Sequence, residues 1–191
     1  MQLRYIKPSW GRAWMLIFLI AVFGCELALA DTRLDAADRS YRAGRYVQAG
    51  KLYRDLAESG DPQAQFRLGM LHYLGRGVRE DERQAFDWFQ RAAKAGNIDA
   101  QYRLATLYTL RQGLPADTDD ADIEAARWYF SAAARGHAEA QYALALMFIT
   151  GKGVEQSPEE AEKWMRRAAA QGLEGARSFG STKSPPPPPK K

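Results

Sequence analysis

The chain has 191 residues, of which 46% are hydrophobic and 26% charged, enough for one domain of moderate size. Its 27 basic and 23 acidic residues give a net charge of +4, but the basic excess lies near the two ends. Between Asp31 and Gly180 there are 21 basic and 22 acidic residues, and no basic stripe of the kind that nucleic-acid binding requires. The composition therefore argues against a nucleic acid as partner.

The first 30 residues predict a secretory signal peptide. A basic head, a short apolar run and an A-x-A site follow one another, namely Arg4, Lys7 and Arg12, then residues 13–23, then residues 28–30. The apolar run rises only about 16 Å as a helix, well short of the about 30 Å hydrocarbon core of a bilayer. We expect cleavage before Asp31 and a periplasmic or secreted protein. An uncleaved anchor or a lipid on Cys25 is the alternative, and either would attach the protein to a membrane.

Cys25 is the only cysteine in the chain. Cleavage after Ala30 would leave no thiol, so the mature protein would have no disulfide framework, no thiolate nucleophile and no cysteine metal site. An exported protein of this kind must depend on its apolar core for stability.

Three segments that begin at Asp61, Asn97 and His137 repeat the same residue types in the same order. The matching positions are Ala64, Leu68, Trp88, Ala92, Ala93 and Gly96; Ala100, Leu104, Trp128, Ala132, Ala133 and Gly136; and Ala140, Leu144, Trp164, Ala168, Ala169 and Gly172. The leading alanines are 36 and then 40 residues apart, which indicates a four-residue insertion inside the second copy. Such a period predicts stacked supersecondary units, over residues 61–96, 97–136 and 137–172.

The sequence on either side of these copies predicts partial units. Residues 31–60 match a degenerate opening repeat, and residues 173–180 begin a further first helix. Residues 181–191 contain five consecutive prolines, which lack amide donors and favour an extended polyproline conformation. We expect a disordered, solvated tail there, with a partner ligand or a surface tether as the alternative.

Each complete unit predicts two antiparallel helices. In the first copy, Ala64, Leu68 and Leu71 share one helical face, and the second helix repeats the pattern. Gly69, and alanine at the same position of the other copies, predicts a close approach of helix backbones. The glycines of residues 75–78 and 151–154 predict tight turns that bring a valine back to the core. In the second copy, residues 111–122 predict a longer, acidic, exposed loop in place of that turn.

These residues resemble the Sel-one-like repeat, a relative of the tetratricopeptide repeat. The resemblance rests on Ala64, Leu68, Gly69, Gly75, Gly77, Val78, Ala85, Trp88, Ala92, Ala93 and Gly96 and on their counterparts in the other copies. It implies an all-α fold, a right-handed α/α superhelix (solenoid) of about three and a half repeats whose first helices line a concave groove. Members of this family act mainly as adaptors and scaffolds, often exported in bacteria. Some cysteine-rich members are described as β-lactamase-like, but the mature part of this chain lacks those cysteines.

The resemblance also predicts which side chains line the groove. In each copy three residues at spacings of four and three share one face of the first helix. They are Phe66, Met70 and Tyr73; Tyr102, Thr106 and Thr109; and Tyr142, Leu146 and Ile149. Such stripes are often part of a core, but a separate packing face already exists in each first helix. Because aromatic residues are common anchors at interfaces, we expect the groove to bind a protein or peptide.

No catalytic or metal-binding set is evident in the sequence. His72 takes a position held by Tyr108 and Phe148 in the other copies, so we expect it to pack, and we expect His137 to be exposed at a repeat junction. The acidic residues Asp117, Asp119, Asp120, Asp122 and Glu124 lack the glycine and glutamate spacing of a calcium loop. We therefore predict no metal, no cofactor and no enzyme activity.

The leading hypothesis is an exported repeat scaffold, or adaptor, for protein–protein interaction in a cell-envelope complex. The alternatives are a cell-wall accessory protein that binds glycan or peptidoglycan, and a β-lactamase-like hydrolase. Repeat identity alone does not choose among these roles.

Overall fold

The computed structural model describes residues 32–116 and 118–181. The expected signal peptide with Cys25, the loop residue Asp117 and residues 182–191 of the Pro/Lys segment lie outside the described residues. The described residues form helices joined by short turns, and no strand occurs among them. The helices are α1 (32–42), α2 (Tyr46–Glu58), α3 (Pro62–Leu74), α4 (Glu82–Lys94), α5 (Ile98–Leu110), α6 (Ala121–Ala134), α7 (Ala138–Thr150), α8 (Pro158–Ala170) and α9 (Glu174–Ser181).

The helices are arranged in two layers. From α2 to α9 each helix packs on its neighbours in the chain. Further contacts join alternate helices. On one side, Asn97 at the start of α5 donates from Nδ2 to Oε1 of Gln63 on α3, over 2.8 Å. On the other side, the ring of Phe130 on α6 meets the ring of Trp164 on α8 edge-on, with centroids 5.7 Å apart. Odd-numbered helices therefore form one layer and even-numbered helices the other, which confirms the predicted all-α solenoid.

The first helix of each complete unit starts at a side-chain cap. Asp61, Asn97 and His137 precede α3, α5 and α7, and each accepts a hydrogen bond from the amide three residues later. The distances to that nitrogen are 2.7 Å from Asp61 Oδ1, 2.8 Å from Asn97 Oδ1 and 3.2 Å from His137 Nδ1. A cap satisfies a free amide at the helix start and contributes about 1 kcal/mol. These caps fix where every unit begins.

The predicted packing face is confirmed. Ala64, Leu68 and Leu71 are each 0% exposed. At Gly69 the helices approach so closely that an added Cβ would lie 2.7 Å from the ring of Phe89 on α4. Small residues at this register therefore allow α3 and α4 to pack tightly, as the sequence predicted.

A buried glutamine joins each unit to the helix before it, a feature that sequence analysis did not predict. Gln65, Gln101 and Gln141 are only 5–7% exposed. Their Nε2 atoms donate to the carbonyl oxygens of Ala57, Ala93 and Ala133, over 3.1, 3.2 and 3.0 Å. Each glutamine is a second donor to a carbonyl near the end of the preceding second helix, because that carbonyl already accepts from the amide of Gly60, Gly96 or Gly136. The junction between units therefore has the same polar contact three times.

The connection between the two helices is longer in the second unit, as predicted, since α5 ends at Leu110 and α6 begins at Ala121. The prediction that the loop of residues 111–122 replaces the glycine turn is wrong, because residues 111–114 keep that turn. Arg111 ends α5 in the left-handed conformation (φ 57°), like Gly75 and Gly151 at the equivalent positions. Gly113 has φ 64°, and an added Cβ would lie 2.2 Å from the carbonyl oxygen of Glu82. The motif was missed because arginine replaces the first glycine and leucine the valine, and Leu114 still packs on the core. The four inserted residues follow this turn.

Candidate functional site

The nine residues predicted for the groove lie on the odd-numbered layer, and eight of them reach its surface. Thr109 and Leu146 are exposed, with Leu146 at 40%. Half-buried are Met70, Tyr73, Tyr102, Thr106, Tyr142 and Ile149. Phe66 is only 7% exposed and packs on Phe89 with ring centroids 5.8 Å apart, so it belongs to the core. We call the eight surface residues the first-helix face.

Tyrosines from the other layer support this face from beneath. On α6, the hydroxyl of Tyr129 lies 3.2 Å from Oγ1 of Thr106. On α2, the hydroxyl of Tyr53 donates to Oδ1 of Asp38 on α1, over 2.5 Å. Burial and the neighbouring Asp38 carboxylate raise the pKa of Tyr53 above its usual range. Two of the repeats thus have a buried tyrosine that holds a polar surface residue in place.

The contact with Asp38 shows that the opening unit extends the first-helix face, which sequence analysis missed. The turn between α1 and α2 is residues 43–45, whereas the turn between α3 and α4 is residues 75–81, so the opening unit is shorter. A shift of 32 residues aligns Leu34, Asp38 and Tyr41 with the groove positions of the first complete copy. Leu34 and Tyr41 are half-buried against the core of the first units. Because this offset is 32 residues instead of 36 or 40, the repeat period did not predict that Leu34, Asp38 and Tyr41 belong to the face.

Charge is distributed unevenly along the face. Arg67 Nε lies 3.7 Å from Asp38 Oδ1, so this arginine has an acidic partner. Arg103 lies at the equivalent position of the next unit, with its guanidinium carbon 5.8 Å from the centre of the Tyr102 ring. Within the described residues Arg103 makes no ion pair. At the third unit the position is Ala143, and the face becomes apolar.

His137 lies at the junction between two units, and the expectation that it is exposed is wrong. Its side chain is only 13% exposed. The imidazole stacks on the ring of Tyr102 with centroids 4.5 Å apart and an interplanar angle of 22°. Nε2 lies 3.7 Å from Asp99 Oδ1, and Nδ1 lies 3.3 Å from Glu139 Oε2. Because His137 also caps α7, it aligns the α5 and α7 parts of the first-helix face.

Two other polar side chains of the first helices, His72 and Tyr102, have shifted pKa values. Burial, followed by the charge of Arg54, lowers the pKa of His72, which is 7% exposed and packs as predicted. Burial also raises the pKa of Tyr102. Within residues 32–116 and 118–181, no three His, Cys, Asp or Glu side chains are grouped as metal ligands. None of the helices in that part of the chain combines the length and apolar character needed to cross a membrane.

An α/α solenoid with one continuous presented face defines the class of helical repeat proteins. The model of the Sel1 repeat matches residues 62–97, 98–137 and 138–173. These matches cover more than half of the chain, and the chain belongs to the Sel1 repeat family. Proteins with these repeats generally mediate protein–protein interactions and are generally not enzymes.

Two solved structures illustrate the similarity. A Sel1 repeat protein from Oxalobacter formigenes is 30% identical with a TM-score of 0.69, over 75% of this chain and 58% of that one. The protein c5321, a protective antigen of uropathogenic Escherichia coli strains with an SLR fold, is 28% identical with a TM-score of 0.69, over 81% of this chain and 35% of that one. This chain therefore spans less than two thirds of either relative. No curated protein matches it.

Proposed function

We propose that this protein is an exported, non-enzymatic scaffold that binds a segment of another protein across the first-helix face. The observation that carries the proposal is the row of side chains that stays accessible after the core is complete. The packing residues Ala64, Leu68 and Leu71 of the first unit are fully buried, whereas Leu146, on the presented face of the third unit, is 40% exposed. An apolar and aromatic row of this kind provides anchors for a partner at a typical interface.

The shape of the face favours an extended or helical segment over a small molecule. Its members lie on three successive first helices, which are held in register by the Asn97 and His137 junctions. A cleft on this face, beside Tyr73, Arg103 and Thr106, has a volume of only about 10 Å³. A drug-sized ligand needs a pocket of roughly 300 Å³ or more. A protein segment instead gains contact area along the row.

Site-specific photocrosslinking tests where the partner binds. A photoreactive amino acid at Leu146 should capture a specific partner in living cells, whereas one at Val47, which is 60% exposed on the even-numbered layer, should not. Thr109→Arg combined with Leu146→Arg should abolish the capture from a third position on the face, Tyr73. Both substituted residues are exposed, so the fold is expected to persist. Equal capture at Leu146 and Val47 would contradict the proposal.

The export part of the proposal requires a separate test. It is supported by the basic head, the apolar run and the A-x-A site of residues 1–30. Mass spectrometry of the protein purified from envelope fractions should give a mature chain that begins at Asp31. A mass that includes residues 1–30, in a protein found only in the cytoplasm, would refute export and leave the scaffold proposal standing. A lipid attached to Cys25 would instead indicate a membrane-anchored form.

A further inference from the structure

An apolar pocket opens on the even-numbered layer, away from the first-helix face. It lies between α6, α7 and the turn after α7, and its volume is about 310 Å³. Its apolar lining consists of Ile123, Ala126, Phe130, Leu144, Phe148 and Val154. Ile123 and Phe130 are 46% and 53% exposed, although large apolar side chains are usually covered. The pocket is therefore apolar, aromatic and open to a partner.

The pocket exists because α6 differs from α4 at three positions of the same register. In α4 the space is filled by Phe86, which is 1% exposed and meets the ring of Tyr108 edge-on at 5.3 Å. In α6 the equivalent residue is Ala126, which leaves the space empty. The two exposed apolar residues replace polar ones, since Ile123 corresponds to Arg83 and Phe130 to Gln90. The same junction is thus closed and polar in one unit and open and apolar in the next.

Acidic groups predominate around the pocket. Asp119 and Asp120 are exposed immediately before α6, and Glu155 is exposed immediately after the lining residue Val154. Two basic residues nearby are already paired: Arg127 Nη1 lies 2.9 Å from Glu124 Oε1, and Arg111 Nη2 lies 3.8 Å from Asp122 Oδ2. Within the described part of the chain, the three exposed acids make no ion pair, and Lys152 is the unpaired base on the turn. The rim therefore favours a basic ligand.

We propose that the pocket is the docking site of the Pro/Lys segment of this same chain. Residues 185–189 are five prolines, followed by Lys190 and Lys191. Proline-rich segments dock in aromatic-lined grooves because their extended conformation costs little entropy to fix. Here Phe130 and Phe148 supply the aromatic walls, and the lysines face the acidic rim. Both the apolar and the charged halves of the segment thus have a counterpart at the pocket.

The distance is compatible with docking within one molecule. Residues 182–191 span about 31 Å as a polyproline helix, at roughly 3.1 Å per residue. Helix α9, which precedes them, packs on α8, and its Gly175 lies against the Tyr142 ring of α7. Leu144 and Phe148 of α7 line one side of the pocket. Packed helices are roughly 8–10 Å apart. The segment is therefore long enough to cross from the end of α9 to α6.

Methyl NMR on the whole protein, as purified after processing by the host cell, tests the proposal. Replacing the five prolines with serine should shift the methyl resonances of Ile123, Leu144 and Val154 and leave those of Val47, Leu56 and Leu68 unchanged. A synthetic SPPPPPKK peptide should then bind the proline-free protein at least tenfold more tightly than the wild type, because the attached segment competes at an effective concentration of about 1 mM. An SPPPPPEE peptide should bind more weakly than SPPPPPKK.

The chain itself supplies the control for the pocket. Ile123→Arg, Ala126→Phe and Phe130→Gln together give α6 the residues that close the junction in α4, so the peptide should not bind this variant. If the triple variant does not fold, Ile123→Arg alone changes an exposed residue and should weaken binding. Unchanged spectra after proline replacement, or equal peptide binding to the closed variant, would overturn the proposal. Shifts that depend on protein concentration would also overturn it, because they would assign the occupant to a second copy.

Discussion

The hydroxyl of Tyr129 on α6 and Oγ1 of Thr106 on α5 lie 3.2 Å apart, at the register where Tyr53 on α2 donates to Asp38 on α1. The two contacts occupy the same position of the repeat, but the acceptor is a neutral hydroxyl in one and a carboxylate in the other. A hydrogen bond to a carboxylate contributes roughly 1.5–3 kcal/mol, compared with about 1 kcal/mol for a neutral pair. The opening unit therefore depends more strongly on its tyrosine than the second unit does.

Tyr53→Phe should destabilise the protein about twice as much as Tyr129→Phe. The expected losses are about 2 kcal/mol and about 1 kcal/mol in the free energy of unfolding, for the reason just given. Urea denaturation followed by circular dichroism measures both. Asp38→Asn should reduce the difference between the two tyrosine variants, because it removes the charge. Equal losses would show that the Asp38 charge contributes nothing.

The same tyrosine should make the protein sensitive to alkali. Burial raises the pKa of Tyr53 above its usual range, whereas a tyrosine in the unfolded chain titrates near about 10. The protonated hydroxyl of Tyr53 therefore contributes its full stabilisation below about pH 10. This stabilisation is lost as the pH rises from about 10 toward the higher pKa of Tyr53 in the folded state. The urea midpoint of the wild type should fall more steeply between about pH 9.5 and 11 than that of Tyr53→Phe. Parallel curves would contradict this assignment.

His72 should weaken the protein in acid. Burial lowers its pKa, so the folded state holds the neutral form while the unfolded chain takes up a proton near about pH 6.5. Neutral His72 therefore contributes its full stabilisation above about pH 6.5. This stabilisation is lost as the pH falls from about 6.5 to the lower pKa of His72 in the folded state. His72→Phe introduces the residue that Phe148 provides at the same register. Its urea midpoint should change less than that of the wild type between about pH 8 and pH 5. Equal changes in the two proteins would contradict this assignment.

Gly69 and Phe89 should behave as a pair. An alanine Cβ at residue 69 would lie 2.7 Å from the ring, so Gly69→Ala should cost about 1–2 kcal/mol despite its better helix propensity. The third unit has alanine and Met165 at these two positions. Adding Phe89→Met to Gly69→Ala should therefore recover most of the loss, as a double-mutant cycle in urea would show. Additive effects of the two changes would indicate that the residues are not coupled.

Gly113 should tolerate substitution less well than Gly44. Both have positive φ, 64° and 73°, but an added Cβ meets the carbonyl oxygen of Glu82 at Gly113 and nothing within 4 Å at Gly44. Gly44→Ala should lose about 1 kcal/mol for the left-handed backbone alone. Gly113→Ala should lose at least about 2 kcal/mol more, because the backbone of α4 must move. Similar thermal midpoints for the two variants would show that this turn is not packed against α4.

The sequence was sufficient to predict the helices, the packing face and eight of the side chains that reach the first-helix face. These features follow from periodicity, because buried alanines and leucines recur at fixed spacing. It did not predict the turn at Arg111, since an arginine can take the left-handed conformation when its neighbours require it. It also missed Asp38 and the apolar pocket. Asp38 lies in a unit whose turn is shorter than in the other units. The pocket arises because Ala126 stands where α4 has Phe86, and the space that this leaves is bounded by side chains of α7, which the sequence of α6 alone does not show.

The glutamine bonds at the unit junctions bear on how such a chain can grow. Each unit has a glutamine donor near its beginning and, at its end, a helix carbonyl that accepts from the glutamine of the next unit, in the positions of Gln101 and Ala133. The end of any unit therefore accepts the start of any other. A tandem duplication of one unit in the gene would create a junction that is already hydrogen-bonded, without further mutation. The fold thus permits the array to lengthen by recombination, and with it the surface available to a partner.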